Sequence, residues 1–297
     1  MTMSSQGLTG ILAAVPTPFS KDGSTIDTRV IQQIVDRMVS AGVHGIVTTG
    51  TTGEFPTLSE AEHKQVVEAY VKASRGRIPI IAGVGSNSTK VAIELSLHAQ
   101  EAGVQAVMVV PPFYDPLPFG TLKRFFSDLC SSIRVPVIYY NLPGATGIHL
   151  TASQIRELAE IRGFDYLKDT SGNAKELADL LTNPVENFQA FNGWDTLTFF
   201  AFCHGAKASV WGVASLVPEE SVEFYKTLVL EKDLEKAREQ WKFLWKVSDF
   251  LESVNYPAGI KAGLKILGRD AGPTRLPTLP LEEKEIERLE KILAERK

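Results

Sequence analysis

Little in this 297-residue chain points to metal, redox or nucleic-acid chemistry. Its two cysteines, Cys130 and Cys203, form no ligand or redox spacing and read as small buried hydrophobes of a reducing compartment. Five histidines are scattered without a helical His-x-x-x-His pair, so no zinc site and no other metal is indicated. Basic residues number 31 against 35 acidic ones, with no long basic cluster, and the field that holds a phosphate backbone is missing. Nucleic acid is thereby excluded as a partner. No apolar run approaches the roughly 18 to 20 residues that cross a bilayer. The apolar stretch Leu8–Val15 has no basic segment before it and no small-residue cleavage site after it, so it is not a secretory signal. Met1–Gln6 reads as a loose polar leader, and a cytoplasmic protein without a membrane partner is expected. Gly83-x-Gly85 is too small a fragment for a dinucleotide fingerprint, and Thr48–Glu54 lacks the Gly-Lys-Ser/Thr of a P-loop. No cofactor is expected, which leaves the chemistry to side chains and substrate.

What is present is a repeated rhythm. Gly10–Pro16 reads as a short buried strand, and Val30, Ile31, Ile34, Val35, Met38 and Val39 then fall at helical spacing over Thr28–Ser40. Ala41-Gly42 stops that helix and leads into the strand Gly45–Thr48. The turn Ala41–Val47 is echoed by Ala102–Met108 and, more faintly, by His204–Val210. Further short apolar runs stand at Ile78–Ala82, Val135–Tyr140, Tyr166–Lys168 and Phe188–Asn192, separated by amphipathic segments. Capping boxes at Ser59-x-x-Glu62 and Thr151-x-x-Gln154 mark helix starts. Eight short strands alternating with helices, each buried on both faces, predict a closed (β/α)8 barrel of α/β class over residues 1–218. After Pro218 the alternation gives way to long amphipathic stretches, Glu219–Glu231, Asp233–Ser253, Ile260–Leu267 and Leu281–Ala294. This predicts a C-terminal helical extension over residues 219–297, with a rigid connector at Gly272–Pro277.

Reactive groups of such a barrel sit where strands end, so each strand end is a candidate. The sixth is the most unusual: Phe164–Lys168 runs apolar into a lysine, followed at once by Asp169, Thr170, Ser171 and Gly172. Taken alone, Lys168 reads two ways. It is a snorkelling lysine or one paired with Asp169, or it is an amine whose burial favours the neutral, nucleophilic form that condenses with a ketone. The second strand ends in Thr48–Glu54, whose backbone N–H groups and hydroxyls suit a carboxylate, or form a plain turn. Tyr140 and Tyr114, at the ends of strands five and four, are either structural or able to move a proton to and from a bound molecule.

Gly50-Thr-Thr-Gly-Glu54, Ala82–Thr89, Pro112-Phe-Tyr114, Tyr140-Asn-Leu-Pro143 with Thr146-Gly147, Leu167–Gly172 and Gly272-Pro-x-Arg275-x-Pro277 occur in this order. Together they closely resemble the signatures of the dihydrodipicolinate synthase/N-acetylneuraminate lyase family, from about Leu8 to Leu293. The resemblance implies a class I, lysine Schiff-base lyase or aldolase of pyruvate or another 2-oxo acid. Lys168 matches the imine-forming lysine and Tyr140 the proton-shuttling tyrosine. Thr51 matches the hydroxyl that links Tyr140 to Tyr114, a tyrosine that in many relatives enters from a neighbouring subunit. A homotetramer, a dimer of dimers, is implied. The backbone at Thr51 and Thr52 would hold the 2-oxo acid carboxylate, and Gly193 and Val210, at the ends of strands seven and eight, are further substrate-binding candidates.

One departure bears on the second substrate. Where dihydrodipicolinate synthases carry an arginine for the carboxylate of aspartate semialdehyde, two residues after the proline of Tyr-Asn-x-Pro, this chain has Ala145. The loss of a charged contact worth roughly 2 kcal/mol places a 2-keto-3-deoxy sugar acid aldolase or dehydratase first and the synthase second. A non-catalytic 2-oxo acid sensor stands third. Trp194 and Trp211 either wall a larger second substrate or pack beneath the helical tail.

Overall fold

The computed structural model describes residues 7–296. Eight parallel strands, β1 (Gly10–Ala14), β2 (Gly45–Thr48), β3 (Ile80–Gly85), β4 (Ala106–Val110), β5 (Val137–Asn141), β6 (Phe164–Asp169), β7 (Gln189–Asn192) and β8 (Ala208–Trp211), pair in chain order. The ring closes where Gly10–Ala13 of β1 aligns with Ala208–Trp211 of β8. Alternation along each strand sorts the side chains into two cores. Leu12, Val47, Ile81, Met108, Ile138, Tyr166, Phe191 and Val210 fill the barrel interior. Ile11, Ile46, Ile80, Val107, Tyr139 and Leu167 point outward onto the surrounding helices. The expected barrel is therefore present, with β2 at its expected limits and the other limits shifted by at most three residues.

Helix starts follow local chemistry. Both capping boxes form: Ser59 and Glu62, and Thr151 and Gln154, each satisfy the other's backbone N–H. Asp27 and Ser88 cap the helices Thr28–Ser40 and Thr89–Ala102 with side-chain oxygens. After the short helix Val213–Leu216 the chain becomes helical. Pro218–Tyr225 runs into a π-helical turn, Lys226–Leu230, and is followed by Leu234–Glu252, Tyr256–Ile266 and Glu283–Leu293. The third of these starts at Tyr256, four residues earlier than the apolar spacing predicts. Asn255 caps it by accepting from the Ala258 N–H, and Pro257 occupies the first turn, where its missing donor costs nothing. Leu244, Val247, Phe250, Ile260 and Leu264 belong to the same outer core as the barrel helices.

One expectation needs correction, and one left open is decided. Cys203 is exposed, because it closes the short helix Thr198–Cys203 at its outer end; Cys130 is buried as expected. Of the two placements open to Trp211, the one beneath the helical tail is realised. The period of two turns it outward, fully buried, against Phe224 and Trp241 at ring separations of 6.2 and 5.9 Å. No helix among the described residues is long and apolar enough to cross a membrane, and no group of three or more His, Cys, Asp or Glu there could hold a metal ion. The Met1–Gln6 leader lies outside the described residues.

Candidate active site

Register brings the central residues together. Tyr140 on β5 aligns with Lys168 on β6, and Lys168 with Phe191 on β7, so residues of one parity share the interior face. Lys168 is 7% exposed, and its Nζ lies 3.8 Å from the centroid of the Tyr140 ring. The adjacent Asp169 points to the opposite face, where its carboxylate accepts from Asn141 Nδ2 at 2.8 Å and from Ser171 Oγ at 3.0 Å. A Lys168–Asp169 ion pair is thus ruled out by strand alternation. Asp169 itself is raised above its ordinary value by burial, against these hydrogen bonds.

The phenol of Tyr140 meets the hydroxyl of Thr51 at 3.2 Å, within a hydrogen bond that either group can donate. Thr51 sits in a tight loop bracketed by two left-handed residues, Thr49 at φ 50° and Glu54 at φ 56°. Such a conformation costs about 1–3 kcal/mol per non-glycine residue and persists only where the surroundings impose it. Those surroundings are visible. Thr49 Oγ1 donates to the Gly83 carbonyl at 2.8 Å, and Thr17 Oγ1 to the Gly53 carbonyl at 2.7 Å. Gly83 has to lack a side chain, since a Cβ there would lie 2.5 Å from the Thr49 carbonyl oxygen. Among the described residues the Thr51 and Thr52 amides have no intrachain acceptor, which leaves two N–H groups for an anion.

A cleft of about 210 Å³ joins these groups: Thr51, Thr52, Tyr140, Lys168, Gly193 and Val210 all line it. Gly193 is sterically obligatory. A Cβ on it would stand 2.6 Å from both Cγ and Cε of Lys168 and 2.4 Å from Thr170 Oγ1. Tyr114 is the one sequence candidate that stays outside. It is 83% exposed, on a loop pinned by Asn87 Oδ1, which accepts from the Phe113 and Tyr114 amides at 2.9 and 3.1 Å.

Sequence reasoning missed the far wall of the cleft. Asp195 is buried there and accepts from the Tyr256 hydroxyl at 2.5 Å; burial pushes its carboxyl up to about 7, while Tyr256 and Lys168 oppose the shift. Glu252, also lining the cleft, accepts from the Thr196 amide and hydroxyl at 2.9 Å each. Trp194 faces the cleft, so of the two indoles only this one walls it. Thr170 lines the cleft, and its hydroxyl is buried without a hydrogen-bond partner. Asp195 and Tyr256 lie 61 positions apart, and no spacing rule links them. The Asn255–Pro257 cap signature was the one legible hint that Tyr256 begins a helix.

The architecture recurs in known proteins. The model of the dihydrodipicolinate synthetase family matches residues 7–296. The 4-hydroxy-tetrahydrodipicolinate synthase of Methanocaldococcus jannaschii is 34% identical over 285 residues, covering 96% of this chain and 97% of that protein. Its counterpart in Archaeoglobus fulgidus is 35% identical, covering 96% of both. Among solved structures, a putative dihydrodipicolinate synthetase from Pseudomonas aeruginosa superposes with a TM-score of 0.93 at 30% identity, over 97% of this chain and 99% of that one. The dihydrodipicolinate synthase of Acinetobacter baumannii, solved in complex with pyruvate, gives 0.92 at 30% identity, over 97% and 98%.

Proposed function

Because the chain belongs to the dihydrodipicolinate synthetase family, we propose that it is a class I lyase that binds pyruvate as an imine on Lys168 and makes or breaks a bond at the carbon next to that imine. One observation carries this reading: a buried amine at a strand mouth, turned away from its neighbouring carboxylate and seated beside a Tyr140–Thr51 hydroxyl pair. Nζ attacks the C2 carbonyl and water leaves. The protonated imine then withdraws electrons from C3, and Tyr140 carries the protons that these steps release and consume. The Thr51 and Thr52 amides hold the carboxylate, with Gly193 and Val210 shaping the pocket around the methyl end. Tyr114 enters from a second copy of the chain. Lys168→Ala is expected to lower turnover by at least about 10³-fold with every substrate; retention of activity would remove the imine from the mechanism.

For the second substrate, the names of the relatives favour condensation of pyruvate with aspartate semialdehyde, the 4-hydroxy-tetrahydrodipicolinate synthase reaction. They give the 2-keto-3-deoxy sugar acid reaction no support, so the synthase reaction takes first place. A second reading, an aldehyde that carries no carboxylate, is favoured by one feature of the cleft. Lys168 is the only cation among its lining residues, Ala145 is exposed on the turn Pro143–Thr146, and Asp195 and Glu252 are both acids. The test is a comparison of kcat/KM for aspartate semialdehyde against neutral hydroxyaldehydes, with pyruvate fixed. Efficient use of aspartate semialdehyde supports the synthase; a preference of tenfold or more for the neutral aldehydes supports the second reading.

A further inference from the structure

The strained loop that carries Thr51 and Thr52 is held from outside the barrel. Glu54, its last residue, is 1% exposed at the side chain and faces Lys261, 4% exposed, with Oε1 and Nζ 2.6 Å apart. Lys261 belongs to the helix Tyr256–Ile266 of the C-terminal region. The other carboxylate oxygen of Glu54 accepts from the Arg275 amide at 2.9 Å, on the connector that follows that helix. Lys261 Nζ also donates to the Pro273 carbonyl at 2.7 Å and lies 4.1 Å from the centroid of the Phe19 ring. Burial pulls the Lys261 ammonium below its ordinary value, and the Glu54 carboxylate opposes that shift. Taking both charges out of water is costly, and neutral residues of similar volume often give equal stability. What this pair does that a neutral pair cannot is fix a direction. It ties the left-handed Glu54, three residues after Thr51, to two separate points of the C-terminal region.

We propose that Glu54 and Lys261 are positioning residues: their ion pair sets the loop 49–54 so that the Thr51 and Thr52 amides present a preformed carboxylate cradle, which makes the C-terminal helical region a working part of 2-oxo acid binding. The identity of the anion rests on the function proposed above; the anchoring of the loop does not. Neither residue lines the cleft, so their effect on it is indirect, and exchange in the loop separates it from any effect through the helix that Lys261 shares with Tyr256.

The test uses the full chain in three forms, Glu54→Gln, Lys261→Met and the double variant, with two readouts. One is pyruvate affinity from the concentration dependence of borohydride trapping on Lys168. The other is amide hydrogen exchange over residues 49–57, with the thermal midpoint recorded alongside. Each single variant strands a buried group and is expected to lose stability. The double variant removes both charges and leaves only neutral groups unpaired, the introduced glutamine amide and the Pro273 carbonyl, and is expected to regain part of it. Pyruvate affinity is expected to fall about tenfold in all three, with faster exchange in the loop and the same trapped yield at saturation. Affinity that recovers together with the thermal midpoint in the double variant would overturn the proposal, as would loop exchange unchanged from the parent. If the parent chain itself traps no pyruvate, the functional reading falls, and the exchange measurement alone decides the anchoring.

Discussion

Lys168 and Asp169 are neighbours in sequence with opposite surroundings, and the difference comes from one step along a strand. Lys168 enters the barrel beside Tyr140 and Thr51; Asp169 leaves it and is consumed by Asn141 and Ser171. Since Tyr140 is assigned to proton movement and the amine to covalent chemistry, the two are separable by mutation. Tyr140→Phe is expected to retain a pyruvate adduct on Lys168 while losing about 10²- to 10⁴-fold in kcat, which trapping and steady-state assays on the same sample would measure. Asp195 offers a test through stability. Its carboxyl is raised from an ordinary 3.8 to about 7, with burial as the main cause. Between those two values the folded chain holds a proton that the unfolded chain has released. Stability owed to this group is therefore greatest at low pH, falls as pH rises from about 4 to about 7, and levels off above. Denaturation curves at pH 5 and 7.5 should show that Asp195→Asn removes this contribution; an identical pH dependence in parent and variant would contradict it.

At the scale of the element, much of the site was legible because a barrel strand states its inward face by alternation. Ile138, Tyr140, Tyr166 and Lys168 are inward and Tyr139 and Leu167 outward, so the choice between the two adjacent tyrosines of β5 follows from parity. The same parity carries Trp211 outward from Val210 and away from the mouth, which composition alone could not decide. Loops and helix starts were less legible. The exposure of Cys203 depends on which way a six-residue helix faces, and the Tyr256 start depends on a cap rather than on apolar spacing. β7 is followed by a glycine, Gly193, for a reason that only packing reveals, namely the Lys168 side chain lying across it. Gly193→Ala is expected to push Lys168 aside, lowering the rate of pyruvate trapping at least tenfold and costing about 1–3 kcal/mol by overpacking. Trapping at the parent rate would show that the lysine tolerates displacement.

For the whole molecule, the order of strands and the closure of the barrel followed from counting, but the union of barrel and helical region did not. Glu252 and Tyr256 wall the cleft and Lys261 braces its loop from segments that, in sequence, look like an appendage. Contacts across 61 and 207 positions, Asp195 to Tyr256 and Glu54 to Lys261, leave no local trace in the sequence. Assembly is a similar case, since Tyr114 is 83% exposed and does not line the cleft of its own chain. If a second copy supplies it, mixing the inactive variants Lys168→Ala and Tyr114→Ala, and letting their subunits exchange, should restore activity at interfaces that unite an intact Lys168 with an intact Tyr114. Activity no greater than the sum of the two variants would place Tyr114 outside the mechanism. The account as a whole depends on the covalent role of Lys168. Incubating the full chain with pyruvate, reducing with borohydride and locating the modified peptide by mass spectrometry is its most direct test. The prediction is a single reduced pyruvate adduct on Lys168 that appears only when pyruvate and borohydride are both present; no adduct, or one on another lysine with Lys168 unmodified, would contradict it.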